Sequence, residues 1–217
     1  MSAVLYHLQN ADIQERKAAI EHAVRVFREG GLVIFPTETV YGIGCDALNA
    51  DAVEALYRAK KRPHDKPLLL HLYAGEQAER AAVLDDKARN LLSAFTPGPF
   101  SLIVPKKDLI PAVVTSGGST VGLRFPSEEL FLELAEAFGG IIAATSANLS
   151  GFSSAKNGEA VAELTEIADV ILENGDCKYS LESTILSMTG KTPRILRQGA
   201  LPREEIERVV GICESSV

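Results

Sequence analysis

The segment AKKRPHDKP, residues 59–67, carries four fixed positive charges in a chain whose formal net charge is −7. Pro63 and Pro67 stiffen the backbone after a predicted helix, so Arg62 and Lys66 sit on a restrained loop rather than on a frayed helix end. Cations held in this way suit phosphate or carboxylate ligands. For any single lysine, a solvated position at a helix C-terminus is the alternative, because the helix dipole also favours cations there. The four charges belong to Lys60, Lys61, Arg62 and Lys66.

Arg124 lies in the middle of the predicted strand TVGLRF, residues 120–125. Strand alternation places it on the same face as Thr120 and Gly122, whereas hydrophobic residues occupy the other face. Its small neighbours leave room around the guanidinium. An arginine within a strand needs either an anionic ligand or a structural ion pair with an acidic residue, and the sequence leaves both alternatives open.

His71 lies within the apolar run LLLHLY, residues 68–73. One interpretation is a core histidine that is hydrogen-bonded to the backbone. The other is a ring that lines a cavity at the end of the strand. The sequence does not separate the two.

Hydroxyl-bearing and small side chains follow several predicted strands. AATSANLSG at 143–151 comes after a bulky pair of isoleucines, and PTETVYGIG at 36–44 supplies the hydroxyls of Thr37 and Thr39. Ser183 opens a later strand, and Arg197 closes the hairpin beyond it. Plain polar turns are the alternative for each segment alone. Because open α/β sheets bind ligands at the carboxyl ends of their strands, we expect a pocket suited to phosphate and carboxylate groups.

The composition is that of an ordinary globular protein, with 217 residues, 46 % of them hydrophobic and 24 % charged. This length fits one domain. The acidic balance argues against a general nucleic-acid coat. Three scattered cysteines without a CxxC pair indicate neither a disulfide framework nor a zinc site. The first residues lack a signal-peptide pattern and no segment has the apolar length of a membrane span, so we predict a cytoplasmic protein.

Hydrophobic periodicity alternates between helix and strand along the chain, which predicts an α/β fold with a mixed sheet. The last third changes to two β-like runs joined by a short turn, which predicts an antiparallel hairpin. The predicted helices cover residues 13–28, 51–61, 85–95, 127–138, 158–168 and 202–210. The predicted strands cover residues 32–36, 68–73, 101–105, 120–125, 141–146 and 170–174, and the hairpin covers 183–199.

Six motifs occur in a fixed order between about residues 34 and 199: FPTETVYGIG, AKKRPHDKPLLLHL, TVGLRFP, TSANLSG, LESTIL and PRILRQG. Together they resemble the threonylcarbamoyl-AMP synthase family of YrdC-like proteins. The resemblance implies an open twisted mixed sheet with flanking helices, enclosing a deep positively charged cavity. It also implies the short form of the family, with a single catalytic domain over residues 1–217 and a motif-bearing core of about 12–200.

The implied reaction is the ATP-dependent synthesis of L-threonylcarbamoyl-adenylate from L-threonine, bicarbonate and ATP, with release of pyrophosphate. It is a nucleotidyltransferase reaction and the first step of threonylcarbamoyladenosine modification of tRNA. Mg²⁺ is expected with ATP, its protein ligands are unknown, and no organic cofactor is implied. The product would pass to a threonylcarbamoyl-transferase complex that acts on tRNA, and direct tRNA binding is allowed but not required.

The resemblance also assigns residues by motif position. As catalytic residues it implies Lys60, Arg62 and Arg124. As threonine-binding residues it implies Thr39, His71, Arg124, Ala144 and Ser183. As ATP-binding residues it implies Lys60, Arg62, Lys66, Thr120, Ser146, Asn148, Ser154 and Arg197.

Two other functions are compatible with this sequence. One is an RNA-binding module of the same fold that uses the cavity for a phosphate backbone. The acidic net charge, and the lack of Phe, Tyr or Trp in the basic segment for stacking on bases, weigh against it. The other is an enzyme that forms a carbamoyl-adenylate from a different substrate, which the sequence separates less well.

Overall fold

The computed structural model describes residues 3–215, and the strands within this range form one mixed sheet. The strands are β1 (Val4–His7), β2 (Val33–Phe35), β3 (Gly42–Asp46), β4 (Leu69–His71), β5 (Phe100–Pro105), β6 (Thr120–Arg124), β7 (Ile142–Ser146), β8 (Val170–Glu173), β9 (Thr184–Ser187), β10 (Arg194–Arg197) and β11 (Glu214–Ser215). The helices are α1 (Ile13–Arg28), α2 (Ala50–Lys60), α3 (Gly75–Ala81), α4 (Asp86–Phe95), α5 (Glu129–Phe138), α6 (Gly158–Ala162) and α7 (Arg203–Val210), with a 3-10 turn at Ala112–Thr115.

The strand order is β1-β8-β2-β3-β7-β4-β6-β5-β9-β10-β11, so strands far apart in sequence become neighbours. At the centre, β4 pairs antiparallel with β7 and parallel with β6. The β4–β6 register places His71 directly beside Arg124. Pairing of β3 with β7 places Gly42 opposite Ser146. Segments that could do chemistry are therefore brought to one region by strand pairing.

Hydrophobic cores lie on both faces of the sheet. One contains the apolar side of α1, with Val24 and Phe27, and the apolar side of α5, with Phe131 and Leu134. The other is larger and includes buried residues of α2 and α4. Within residues 3–215, no helix combines the length and apolar character needed to cross a membrane. The predicted α/β class, an open mixed sheet with flanking helices, is confirmed.

Local sequence explains where the two long N-terminal helices begin. Asp12 caps α1 by accepting from the backbone N–H of Glu15, and the Glu15 side chain accepts from the Asp12 N–H in return. Asn49 caps α2 in the same sense, through the backbone N–H groups of residues 51 and 52. The α2 cap fixes where that helix starts. The basic loop follows the C-terminal end of the same helix.

Besides the 3-10 turn, the structure contains four short strands and helices that the periodicity did not predict: β1, β3, α3 and β11. Two glycines in GIGCD weaken the local preference of β3 for a strand, and pairing with both β2 and β7 overrides it. Gly44 is needed there, because a Cβ would lie 2.9 Å from the Ala143 carbonyl oxygen. Helix α6 is shorter than predicted, since turns replace the helix after Ala162. The predicted hairpin is confirmed as β9–β10.

Gly199, just beyond β10, packs against the backbone that leads into β9. A Cβ here would lie 2.1 Å from the Glu182 carbonyl oxygen and 2.5 Å from the Ser183 carbonyl carbon. We expect Gly199→Ala to lower the free energy of unfolding by about 1–3 kcal/mol, because backbone atoms must move apart. Gly190→Ala in the hairpin turn is the matched control, since its nearest neighbour is 3.5 Å away. Urea unfolding that gave equal values for both variants would contradict the prediction.

Candidate active site

A cavity of about 410 Å³ lies beside the central strands and the β9–β10 hairpin. Its wall combines guanidinium and hydroxyl groups with aliphatic side chains, in a volume typical of small-ligand sites. The predicted site residues that line it are Arg62, His71, Thr120, Arg124, Ala144, Ser146 and Arg197. With the other lining residues, the structure brings together residues from all six sequence motifs.

The remaining predicted residues lie one contact away from the lining. Thr39 contacts Arg124, Ser183 contacts Arg197, and Asn148 contacts Ser146. Ser154 donates to Glu182, which lines the cavity, and Lys60 donates to the Ser146 carbonyl. Lys66 has an exposed side chain, and only its carbonyl oxygen contacts the lining, by accepting from Arg62.

Arg124 forms a buried ion pair with Glu38 while it also lines the cavity. Its Nη2 donates to Glu38 Oε1 over 3.1 Å, to Thr37 Oγ1 over 3.0 Å and to Thr39 Oγ1. The two charged side chains are only 6 % and 3 % exposed. Arg124 Nε is buried and has no partner among the described residues. The sequence left two alternatives open for Arg124, a structural ion pair and an anionic ligand, and the structure is compatible with both. Nη2 is held by protein groups, whereas Nε has no protein partner among the described residues.

His71 is buried, and its ring lies edge-on to Phe35 and Phe131. Burial and, secondarily, the charge of Arg124 hold the pKa of His71 well below its usual value, so the imidazole is neutral. Its Nδ1 has no hydrogen-bond partner among the described residues. The ring is therefore both a core side chain and part of the cavity wall.

Among the four cationic residues of the basic segment, Arg62 is the one that lines the cavity. Helix α2 ends at Lys60, and Lys61 turns the chain with a left-handed φ of 50°. Arg62 then folds back so that Nε donates to the Lys66 carbonyl over 2.9 Å and Nη2 to the Pro67 carbonyl over 3.0 Å. No described carboxylate lies within ion-pair distance of this guanidinium, so its charge is not neutralised by a direct partner.

Lys60 is 1 % exposed and does not line the cavity in this structure. Its ammonium donates to the Ser146 carbonyl oxygen and, over 2.9 Å, to Asn148 Oδ1. Burial, with a further contribution from Arg62, lowers the pKa of Lys60 to about 7. The lysine thus joins the end of α2 to the end of β7. Its predicted contact with phosphate stays a prediction.

Arg197 is held by the two residues that precede β9. Its Nη1 donates to Glu182 Oε2 over 2.9 Å, and its Nε and Nη2 donate to the carbonyl and hydroxyl oxygens of Ser183 over 3.0 and 3.1 Å. Ser183 Oγ also lies 2.9 Å from Ser101 Oγ on β5. Burial lowers the pKa of Arg197, and Glu182 counteracts that effect.

Sequence reasoning missed two acidic residues and an aliphatic wall. Glu38 lies inside the PTETVYG motif between two buried strands, and Glu182 directly precedes Ser183. A charged residue within an otherwise uncharged motif is a signal that could have identified Glu38. The wall residues Ile103 and Ile185 resemble ordinary core positions, so the sequence holds no such signal for them.

The arrangement suits a ligand with more than one anionic group. The lining contains three arginines and one glutamate. Arg124 and Arg197 each have a glutamate partner, whereas Arg62 has no carboxylate partner among the described residues and donates to two carbonyl oxygens. A positively charged cavity stays a prediction, and this distribution supports it.

Within residues 3–215, no group of three or more His, Cys, Asp and Glu side chains is placed to hold a metal ion.

Comparison with known proteins finds close relatives. The chain is 43 % identical over 201 residues to threonylcarbamoyl-AMP synthase of Pyrococcus abyssi, covering 92 % of this chain and 58 % of that protein. It is 42 % identical over 195 residues to threonylcarbamoyl-AMP synthase of Bacillus subtilis, covering 88 % and 56 %. The chain therefore spans little more than half the length of these relatives. A crystal structure of P. abyssi Sua5 complexed with L-threonine superposes with a TM-score of 0.93 at 38 % identity, covering 99 % of this chain and 63 % of that one.

Arg124→Met should lower the free energy of unfolding by about 3 kcal/mol, because it leaves the buried Glu38 carboxylate without its cation. In Arg124→Met/Glu38→Gln, the uncharged amide can still accept from the Ser127 N–H that Glu38 Oε2 accepts from. We expect the double variant to recover most of the loss in urea unfolding. Equal stability of the single and double variants would contradict the importance of the buried pair.

Stability should depend on pH through Lys60. Its pKa is lowered from 10.5 to about 7 by burial, so above pH 7 the unfolded chain binds one proton more than the native protein. The free energy of unfolding should therefore rise with pH, by up to about 1.4 kcal/mol per pH unit, relative to Lys60→Met. Urea unfolding of both proteins between about pH 6.5 and 8.5 measures this difference. Parallel pH profiles would contradict it.

Family membership follows from the extent of the match. The Sua5, YciO and YrdC family model, described as "Telomere recombination", matches residues 25–199. The matched range contains the six ordered motifs, so the resemblance inferred from them is confirmed. The cavity lies between the same motifs. The chain belongs to the Sua5/YciO/YrdC family.

Proposed function

We propose that this chain synthesises L-threonylcarbamoyl-adenylate from L-threonine, bicarbonate and ATP, and releases pyrophosphate. The observation that carries the proposal is the convergence of Arg62, Arg124 and Arg197 on one cavity. The relatives named as threonylcarbamoyl-AMP synthases, and the likeness to the threonine complex, support this choice of substrates.

Threonine would bind at the Arg124 end of the cavity. The unpartnered Nε of Arg124 would donate to its carboxylate, while Glu38 keeps the guanidinium in place from the other side. His71 is neutral and leaves Nδ1 for a polar group of the ligand. Ala144 is small enough to let the ligand approach the strand backbone. The buried Thr39 and Ser183 would act mainly through the two arginines that they contact.

ATP would bind on the side of Arg62 and Arg197, with Thr120 and Ser146 as hydroxyl groups on the wall. Lys66, at the exposed end of the basic loop, would meet the outer phosphates. Lys60 could reach phosphate only by giving up its bonds to the Ser146 carbonyl and to Asn148. Mg²⁺ would enter as part of the MgATP substrate, because the triphosphate itself supplies oxygen ligands.

The chemistry asks for charge stabilisation more than for a strong base. Threonine's amine and bicarbonate form a carbamate with loss of water. A carbamate oxygen then forms a bond to the α-phosphorus while the bond from that phosphorus to the departing pyrophosphate breaks. Arginines fixed before the reaction can offset the charge that develops on the leaving group. Their fixed geometry in this cavity meets that requirement.

We further propose that the reaction takes place in the cytoplasm and that the labile product passes to a threonylcarbamoyl-transferase complex acting on tRNA. Free, buried Cys45, Cys177 and Cys213 are compatible with a reducing compartment. Direct tRNA binding is not required by this scheme, because the adenylate can be handed on before tRNA is engaged.

The decisive experiment measures pyrophosphate release with threonine, bicarbonate and MgATP, and with each omitted in turn. We expect release to require all three, and mass spectrometry to detect threonylcarbamoyl-adenylate. Release that is independent of threonine would sink the proposal. Faster release with another amine would favour a carbamoyl-adenylate enzyme with a different substrate.

Arg62→Ala should lower kcat/KM for ATP by about 100-fold or more, because a preorganised cation at the phosphates is removed. Lys61→Ala is the matched control: it removes the neighbouring charge from an exposed side chain at the same turn. We expect the control to retain activity within about threefold. If steady-state assays showed equal losses, general charge of the loop rather than the Arg62 position would be responsible.

A further inference from the structure

We propose that Glu182 is a positioning residue for the nucleotide side of the cavity, holding Arg197 and the loop that contains Ser154 in one arrangement. This inference rests on the proposed function for the identity of the ligand, which is a triphosphate. It concerns a residue that the motif resemblance did not assign.

Glu182 bridges two separate segments with its two carboxylate oxygens. Oε2 accepts from Arg197 Nη1 over 2.9 Å, and Oε1 accepts from Ser154 Oγ over 3.1 Å. Arg197 ends β10, whereas Ser154 lies in the loop that follows β7. Glu182 is also the single acidic residue among the described residues that line the cavity. One side chain therefore connects two groups on which ATP binding is expected to depend.

The contacts orient the Arg197 guanidinium as well as neutralising it. Glu182 and Ser183 together accept one N–H from each of its three nitrogens, which leaves one N–H on Nη1 and one on Nη2 for a ligand. A planar group held at three points cannot rotate freely. It can therefore present its two remaining N–H groups to a phosphate without a further loss of side-chain entropy.

The exposure of the pair indicates where its effect should appear. The Arg197 and Glu182 side chains are 36 % and 37 % exposed. Ion pairs this accessible to solvent contribute little to stability. If Glu182 positions Arg197 for ATP, its removal should therefore change ATP binding more than the free energy of unfolding. A purely structural role would affect unfolding and both substrates alike.

A second ion pair, between β10 and the neighbouring strand β11, provides the matched control. Arg194, at the other end of β10, pairs with Glu214 over 2.9 Å, and its side chains are 55 % and 50 % exposed. Neither residue lines the cavity. Glu214→Ala thus removes a comparable carboxylate–guanidinium contact from the same strand without affecting the proposed ATP side.

The test compares Glu182→Ala, Glu182→Gln and Glu214→Ala by KM for ATP, KM for threonine, MgATP Kd by calorimetry and the urea midpoint. Gln can keep both contacts, because its amide oxygen can accept from Arg197 while its NH₂ donates to Ser154 Oγ. We expect Glu182→Ala to raise KM and Kd for ATP by about tenfold, with KM for threonine and the midpoint nearly unchanged. For Glu182→Gln, KM and Kd for ATP should stay within about threefold of the parent values, and for Glu214→Ala they should equal the parent values.

Three results would overturn the inference. One is an MgATP Kd of Glu182→Ala equal to that of Glu214→Ala. Another is tighter binding by Glu182→Ala, since Glu182 would then only compete with phosphate for Arg197. The third is an equal loss of ATP binding in Glu182→Gln, since charge rather than hydrogen bonding would then matter.

The Kd measurement separates this inference from the proposed reaction. A parent protein that binds MgATP but forms no threonine adduct would refute the proposed reaction alone, and one that does not bind MgATP would refute both.

Discussion

The buried ion pair between Arg124 and Glu38 is the interaction on which the rest of the cavity depends. Removing either charge from water costs several kcal/mol, and the partner, nearby hydroxyl groups and the Ser127 N–H offset that cost. The pair joins the segment after β2 to the end of β6, and it lies next to His71 on β4. Three parts of the chain must therefore meet correctly before the guanidinium can be buried at the cavity wall.

The same principle extends along the cavity, because each arginine is held by acceptors of the protein. Arg197 is bound by Glu182 and Ser183, and Arg62 by the carbonyl oxygens of its own loop. Groups fixed in this way need little reorganisation when an anion binds. The three arginines differ in whether their charge is balanced by a carboxylate. Of the three, only Arg62 lacks a carboxylate partner among the described residues. The cavity thus contains one cation without a counter-ion and two that are balanced.

Several site residues could be predicted because their signals are local. Alternation along β6 places Arg124 with Thr120 and Gly122, and the prolines around Arg62 indicate a stiff loop. Lys60 shows the limit of such reasoning. Its position in the basic segment predicts a ligand contact, whereas its ammonium is buried against Ser146 and Asn148 in the structure. Which way a lysine at a helix end turns depends on what packs beside it.

The sequence alone determined the α/β class, most of the helices and strands, the hairpin and the family, because these follow from periodicity, turn residues and ordered motifs. Tertiary structure decided the strand order, the existence of β3, the roles of Glu38 and Glu182, and the burial of Lys60. Each of these depends on contacts between residues far apart in the chain. A carboxylate becomes a partner for an arginine only when strand pairing brings the two together, and no local pattern encodes that distance.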